Sequence, residues 1–170
     1  CIRDSNEIGT IQPIKEIGAI AREHGILFHT DAVQAFGQLP INVDEMNIDM
    51  LSASGHKLNG PKGIGFLYIR KGVKIRSFIH GGAQERKRRA GTENVPGIAG
   101  LGKAAELIYE NHEEKIAHIR EIKDHFIKRV MEEIPDVKDN SGDAPHVASI
   151  SFLGVRSEVL LHALEEREIY

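Results

Sequence analysis

The sequence predicts an α/β fold with a mostly parallel sheet. Residues 26–30 and 48–53 are short apolar runs of strand length, and polar side chains follow each at once. The connection between them, residues 36–47, has about a dozen residues, which is near the minimum for a crossover between parallel strands. A helical spacing of apolar residues precedes the first run. The two strands should therefore end at one edge of the sheet, where such folds bind their ligands.

The elements beside these two strands follow from turn and cap signals. A helix is predicted to begin at Pro13, because proline suits the first helical turn, and to end near Gly25, a common stop signal. Residues 58–63 are too few and too rich in turn formers to cross back over the sheet. Residues 64–69 are therefore predicted to form an antiparallel strand.

The C-terminal half is predicted to contain a long helical stretch and a second, smaller α+β unit. In order, we expect an extended loop at 81–92, helix from Pro96 to about Ile134 with a bend near Asn111, a polar linker at 135–145, a strand at 147–152 and a helix at 157–166. We accordingly predict two domains, residues 1–95 and residues 96–170.

Composition places the chain among ordinary globular proteins. It has 170 residues, 41% hydrophobic and 28% charged, with a net charge of −3. This charge gives no argument for nucleic acid or a membrane surface as partner, and the basic run 86–89 is interpreted as a solvated loop. One cysteine excludes a disulfide framework within the chain. With no apolar run of membrane-spanning length and no signal peptide, we expect a soluble cytoplasmic protein.

The residues that indicate chemistry are Asp31, after the first strand, and Lys57, after the second. An enzyme that holds pyridoxal phosphate needs this pair. The lysine forms a Schiff base with the cofactor's aldehyde, and the acid keeps a proton on the pyridine nitrogen. Each residue also has a plainer interpretation. Asp31 could cap a helix, and a lysine in a glycine-rich loop is usually a surface residue.

Neighbouring residues extend this hypothesis. Gln34 lies one turn beyond Asp31 and could face the ring's phenolic oxygen. Ser54, Gly55 and His56 lie in a turn whose hydroxyl, ring and backbone N–H groups could hold a phosphate. Asn6 could be an ordinary turn residue.

A metal site is the competing hypothesis. His29, Asp31 and His56 could form a set of two histidines and one carboxylate. This leaves Lys57 and the glycine-rich loop without a role, so we predict no metal. Cys1 lies at the end of the chain and is given little weight as a nucleophile.

Six motifs together resemble one family, the cysteine desulfurases of the NifS/IscS type, in the class V aminotransferase group of fold-type I pyridoxal phosphate enzymes. They are NEIGTIQP at 6–13, HTDAVQ at 29–34, SGHK at 54–57, GPKGIG at 60–65, GGAQER at 81–86 and RAGTENVP at 89–96. The resemblance implies that the chain holds part of the large cofactor-binding domain, a long linking helix and the start of the small domain.

The resemblance also implies roles for single residues. Lys57 would bind the cofactor covalently, with Asp31 on the pyridine nitrogen. The remaining contacts would be Gln34 and Asn6 at the phenolic oxygen side, Ser54, Gly55 and His56 at the phosphate, and Thr92 at the phosphate of the partner subunit in a homodimer. With Lys57 and Asp31, His56 would complete the catalytic set.

The activity implied is conversion of L-cysteine to L-alanine. The sulfur would pass as an enzyme persulfide to an acceptor protein, for iron–sulfur clusters or thio-cofactors. Two alternatives stay open: another class V enzyme, such as a selenocysteine lyase or an aminotransferase, and a non-catalytic segment that dimerises.

The chain also departs from the family. Residues 1–5 do not resemble the apolar strand that precedes the Asn6 motif. The family's N-terminal phosphate-binding turn and ring-stacking histidine have no counterpart here. Residues 168–170 precede the loop that bears the catalytic cysteine, and the carboxylate-binding arginine lies further on. We therefore expect these 170 residues alone to release no alanine from cysteine.

Overall fold

Four strands form the sheet on which the first part of the chain is built. The computed structural model describes residues 2–3 and 7–170. Strands β1 (Ile2–Arg3), β2 (His29–Asp31) and β3 (Met50–Ser54) are parallel neighbours, and β4 (Gly65–Ile69) pairs antiparallel with β3. The predicted parallel sheet and its antiparallel return are confirmed.

The remaining elements surround or follow this sheet. They are α1 (Ile14–Glu23), a 3₁₀ turn (Gly55–Leu58), α2 (Gln84–Lys87), α3 (Val95–Tyr109), α4 (His112–Glu133), α5 (Ser157–Glu165) and an antiparallel pair, β5 (Val137–Asp139) and β6 (Ile150–Phe152). Two compact units result, one of β1 with Ile11–Lys115 and one of residues 7–10 with Ile116–Tyr170. The predicted division after residue 95, which counts the linking helix with the second domain, stays a prediction.

The core of the first unit lies where α1 packs on β2 and β3. Buried and half-buried residues alternate along both strands, so that Leu51 and Ala53 of β3 point to the core. Ile14 and Ile17 of α1 pack against this cluster, and Ile48, before β3, is 1% exposed. The opposite face carries His29 and Asp31 of β2, and Met50, Ser52 and Ser54 of β3.

Two strands differ from the prediction because of backbone hydrogen bonds that composition does not reveal. Gly25 has a φ of +65° and stops α1 as predicted, but the Ile26 N–H then donates to Ala21 O at 2.8 Å. The backbone N–H of residue 26 is therefore used to end the helix, and β2 begins only at His29. Residues 1–5 do not resemble an apolar strand, yet β1 forms there by parallel backbone pairing with β2, which requires no apolar side chain.

The C-terminal elements largely follow the prediction. The bend near Asn111 is confirmed, since Asn111 has a φ of +53° between α3 and α4. The expected polar linker is wrong in part, because its residues Val137–Asp139 pair with β6. The expected loop at 81–92 contains only α2, a single short turn in which Glu85 and Arg86 have non-helical φ values. Within the described residues, no helix is both long and apolar enough to cross a membrane.

Candidate active site at the edge of the parallel sheet

The predicted cofactor residues meet at the C-terminal edge of the sheet. Asp31 is the last residue of β2 and Ser54 the last residue of β3, and the 3₁₀ turn Gly55–Leu58 follows directly. Asp31 and Ser52 are register partners, so Ser54 lies one side-chain repeat beyond the aspartate. Lys57 lies in this turn, beyond the C-terminal end of β3. The parallel arrangement therefore brings together residues that are distant in sequence.

Asp31 is half-buried, and one of its carboxylate oxygens is fixed by its own turn. The Val33 N–H donates to Asp31 Oδ1 at 3.0 Å. The next residues form a turn rather than a helix, closed by the Phe36 N–H on Ala32 O at 2.8 Å. Among the described residues no hydrogen bond occupies Oδ2. The carboxylate is thus held by its own turn and still offers one acceptor outward.

The donors beyond β3 are arranged differently. Ser54 Oγ lies 2.7 Å from His56 Nδ1, a contact in which either atom donates, depending on the tautomer. The imidazole Nε2 stays available, since the contact uses only Nδ1. Lys57 is exposed, and its amine has no hydrogen bond or ion pair within the described part of the chain. Hydroxyl, imidazole and amine groups therefore point away from the core at one edge.

Gly55 shapes this turn rather than adding a free donor. Its N–H donates to Ile64 O at 2.8 Å, and its carbonyl accepts the Gly60 N–H at 2.9 Å. A Cβ atom at this position would lie 2.9 Å from Ile64 Cγ2, so the close approach to Ile64, the residue before β4, requires glycine. Its predicted contact with the cofactor stays a prediction, and both backbone groups are already used within the turn.

Leu58, the last residue of the turn that carries Lys57, is 2% exposed and anchors that turn in the core. A Cβ atom on Gly37 would lie 2.9 Å from Leu58 Cδ2 and 2.7 Å from Ile108 Cδ1, so the turn after Asp31, the 3₁₀ turn and α3 meet at Gly37. Tyr109 packs edge-on against Phe36, with ring centroids 5.7 Å apart. Burial in this cluster raises the pKa of Tyr109.

The other predicted residues are less closely joined to the edge. Gln34 is half-buried in the turn after Asp31. Thr92 is exposed in the segment between α2 and α3, and no hydrogen bond in the described chain links it to the edge. Asn6 lies outside the described residues, as does Cys1.

The two histidines of the metal hypothesis each pair with a serine. His29 Nε2 lies 3.2 Å from Ser52 Oγ, and His56 uses Nδ1 toward Ser54. Within the described residues, no three His, Cys, Asp or Glu side chains are grouped so that they could hold a metal ion. Sequence reasoning missed Ser52. The alternation along β3, which places Ser52 and Ser54 on one face, is the signal that would have found it.

Comparison with known proteins gives one family for nearly the whole chain. The family model of the class-V aminotransferases matches residues 2–170. The cysteine desulfurase IscS of Methanosarcina thermophila is 54% identical over 169 residues, and that of Clostridium botulinum strain Hall is 50% identical over 171. Each alignment covers 98% of this chain but only 42% and 43% of the relative. The chain thus spans less than half the length of these relatives.

Solved structures agree with these relatives. A NifS-like protein superposes with a TM-score of 0.90 at 38% identity, covering 97% of this chain and 46% of that one. A NifS-like protein from Rickettsia africae also gives 0.90, at 33% identity, covering 98% of this chain and 47% of that one. SspA, solved in complex with cysteine, gives 0.75 at 41% identity over 98% of this chain and 46% of that one. The matched family is one of pyridoxal-phosphate-dependent enzymes.

Proposed function

Because this chain belongs to the class-V aminotransferase family, we propose that it carries the cofactor-binding lysine of a cysteine desulfurase. The reaction is conversion of L-cysteine to L-alanine with transfer of the sulfur. The observation that carries the proposal is the meeting of Asp31 with the Ser54–Lys57 turn at one sheet edge. IscS relatives at 50% identity and above support the choice within the family.

The groups at the edge fit pyridoxal phosphate. The bound cofactor supplies an aldehyde that holds an amino acid and a protonated ring that accepts electrons. Lys57 has an exposed amine to hold the aldehyde carbon, and the outward oxygen of Asp31 can accept from the ring nitrogen. Ser54 and His56 together offer a phosphate a donor, because either His56 Nε2 or the Ser54 hydroxyl keeps a proton to donate, depending on which atom donates in the contact between them.

Each residue then has a separate task. The carboxylate of Asp31 would favour the proton on the ring nitrogen by its negative charge, and the Val33 N–H orients the carboxylate by holding its other oxygen. Ser54 and His56 would orient the cofactor through its phosphate. Gln34 would contact its phenolic oxygen side, and the family resemblance adds Asn6, which lies outside the described residues. Lys57 fixes the cofactor's position relative to the substrate amine.

The substrate, the partners and the location complete the proposal. SspA, a similar structure, was solved with cysteine, which supports L-cysteine as the substrate. We propose a cytoplasmic homodimer in which Thr92 reaches the cofactor phosphate of the partner subunit. A sulfur-acceptor protein then takes the sulfur for iron–sulfur clusters or thio-cofactors.

Covalent attachment at Lys57 tests the cofactor role directly. The full chain, as its gene encodes it, is incubated with pyridoxal phosphate, reduced with borohydride, digested and analysed by mass spectrometry. We expect the reduced cofactor on the peptide that contains Lys57, and none there in Lys57→Ala. Lys62→Ala, an exposed lysine in the next loop, is the matched control and should label normally. Labelling of Lys57→Ala at the wild-type level would refute the proposal. The reaction itself is tested by measuring the release of alanine and sulfide from cysteine.

A further inference from the structure

One contact at the sheet edge has no role in the proposed function. His29 Nε2 lies 3.2 Å from Ser52 Oγ, joining β2 to β3 through their side chains. Both residues are half-buried, and each lies two residues before a proposed cofactor residue of its strand, Asp31 on β2 and Ser54 on β3. A structural contact alone would be unremarkable. Its position beside Asp31, the register partner of Ser52, connects it to the proposed site.

His29, Asp31 and Ser52 lie on one face of the sheet. His29 and Asp31 are two residues apart on β2, so their side chains point the same way, roughly 6.6 Å apart along the strand. Ser52 is the register partner of Asp31 on β3, about one strand spacing of 4.8 Å away. Residues between them, such as Leu51, point instead to the core. The serine is therefore flanked by the imidazole and the carboxylate.

Hydrogen-bond capacity assigns a direction to this group. A serine hydroxyl has one proton to donate and lone pairs that accept. When His29 Nε2–H donates to Ser52 Oγ, the hydroxyl proton is free for another acceptor. Among the described residues, Ser52 Oγ has its hydrogen bond with His29 and none with Asp31. The hydroxyl dipole, fixed by the imidazole, can still point toward the unoccupied Asp31 Oδ2 about one strand spacing away.

We infer that His29 is a positioning residue that acts on Asp31 through Ser52. The imidazole fixes the Ser52 side chain beside Asp31, and the oriented hydroxyl dipole favours the carboxylate charge that would hold the ring proton. This inference rests on the proposed function, because Asp31 has this task only when the cofactor is bound. It assigns no contact between His29 and the cofactor or substrate.

The test is a pH titration of the cofactor's absorbance in the full chain loaded with pyridoxal phosphate. We expect His29→Leu and Ser52→Ala each to raise the titration midpoint by about half a pH unit or more, roughly a threefold change in the protonation equilibrium. The reason is electrostatic. A less firmly held ring proton leaves less positive charge near the Lys57 nitrogen bound to the cofactor, and this nitrogen then keeps its own proton to a higher pH. His29→Gln, whose side-chain amide can donate at a similar reach, should restore most of the midpoint.

A double-mutant cycle separates action through Ser52 from two independent effects. If His29 acts through Ser52, the double variant His29→Leu/Ser52→Ala shifts the midpoint no more than the larger single shift. Additive shifts, or unchanged midpoints in both single variants, would overturn the inference while leaving the proposed function intact. His24→Leu, an exposed histidine after α1, is the control for general destabilisation and should not move the midpoint. A wild-type chain without any cofactor band would instead refute the proposed function, and this inference with it.

Discussion

The two parts of the proposed site differ in what holds them in place. Asp31 and the Ser54–Lys57 turn follow strands whose alternate residues are buried, and Leu58 anchors the turn at 2% exposure. Thr92 instead belongs to an exposed segment, residues 71–94, all of which the structure describes. There only Ala90 is buried, and Phe78 is 93% exposed. The sheet edge is ordered by its own core, whereas this exposed segment has almost no core of its own.

Backbone conformation makes the same distinction. Glu85, Arg86 and Lys87 have φ values of 48°, 56° and 64°, three successive non-glycine residues in the left-handed region. Such a conformation costs roughly 1–2 kcal/mol per residue and persists only when the surroundings impose it. The sheet edge stores no comparable strain within the strands. The stability of the sheet edge should therefore depend on its buried residues and change little with surface substitutions. The exposed segment should be the part that surface substitutions affect.

Leu58→Ala should produce the largest loss of stability, because it removes a buried side chain at the sheet edge. Removing a buried leucine side chain costs about 2–5 kcal/mol, and Leu58 is the buried residue of the turn that carries Lys57. We expect a loss of that size in the free energy of unfolding, measured with urea. Leu67→Ala, on β4 and 47% exposed, is the control and should lose less than 1 kcal/mol, roughly in line with surface substitutions. Equal losses in the two variants would contradict the claim that packing beneath the turn holds it.

The same comparison shows what could be predicted from sequence. The sheet edge could, because apolar runs, a crossover of sufficient length and the parallel rule together place Asp31 near Lys57. The start of β2 could not, since it depends on the hydrogen bond from Ile26 to Ala21 O. The His29–Ser52 contact could not either, because it requires the exact register between two strands. In the exposed segment the left-handed run escaped prediction, since no glycine marks residues 85–87.

Lys87→Gly should have an intermediate effect and sharpens the comparison from the exposed side. Glycine adopts positive φ without the Cβ clash, but it loses more backbone entropy on folding. We expect a net gain of up to about 1 kcal/mol in the free energy of unfolding, as the strain at this position is relieved. Lys74→Gly, an exposed lysine in the same segment without a positive φ, should instead be neutral or destabilising. Equal destabilisation by both variants would show that residue 87 stores no strain.

Thr92→Ala should have the smallest effect on stability. Thr92 is exposed and makes no hydrogen bond with the described residues, so its loss should change the free energy of unfolding by no more than about 0.5 kcal/mol. If Thr92 reaches the phosphate of the partner's cofactor, however, cofactor affinity in the full dimeric chain should fall by about tenfold, the size expected for losing one hydrogen bond to a charged group. Fluorescence titration with pyridoxal phosphate measures the affinity, and Ser77→Ala in the same segment serves as the control. An unchanged affinity would remove Thr92 from the site, and a large loss of stability would show that the exposed segment has internal order after all.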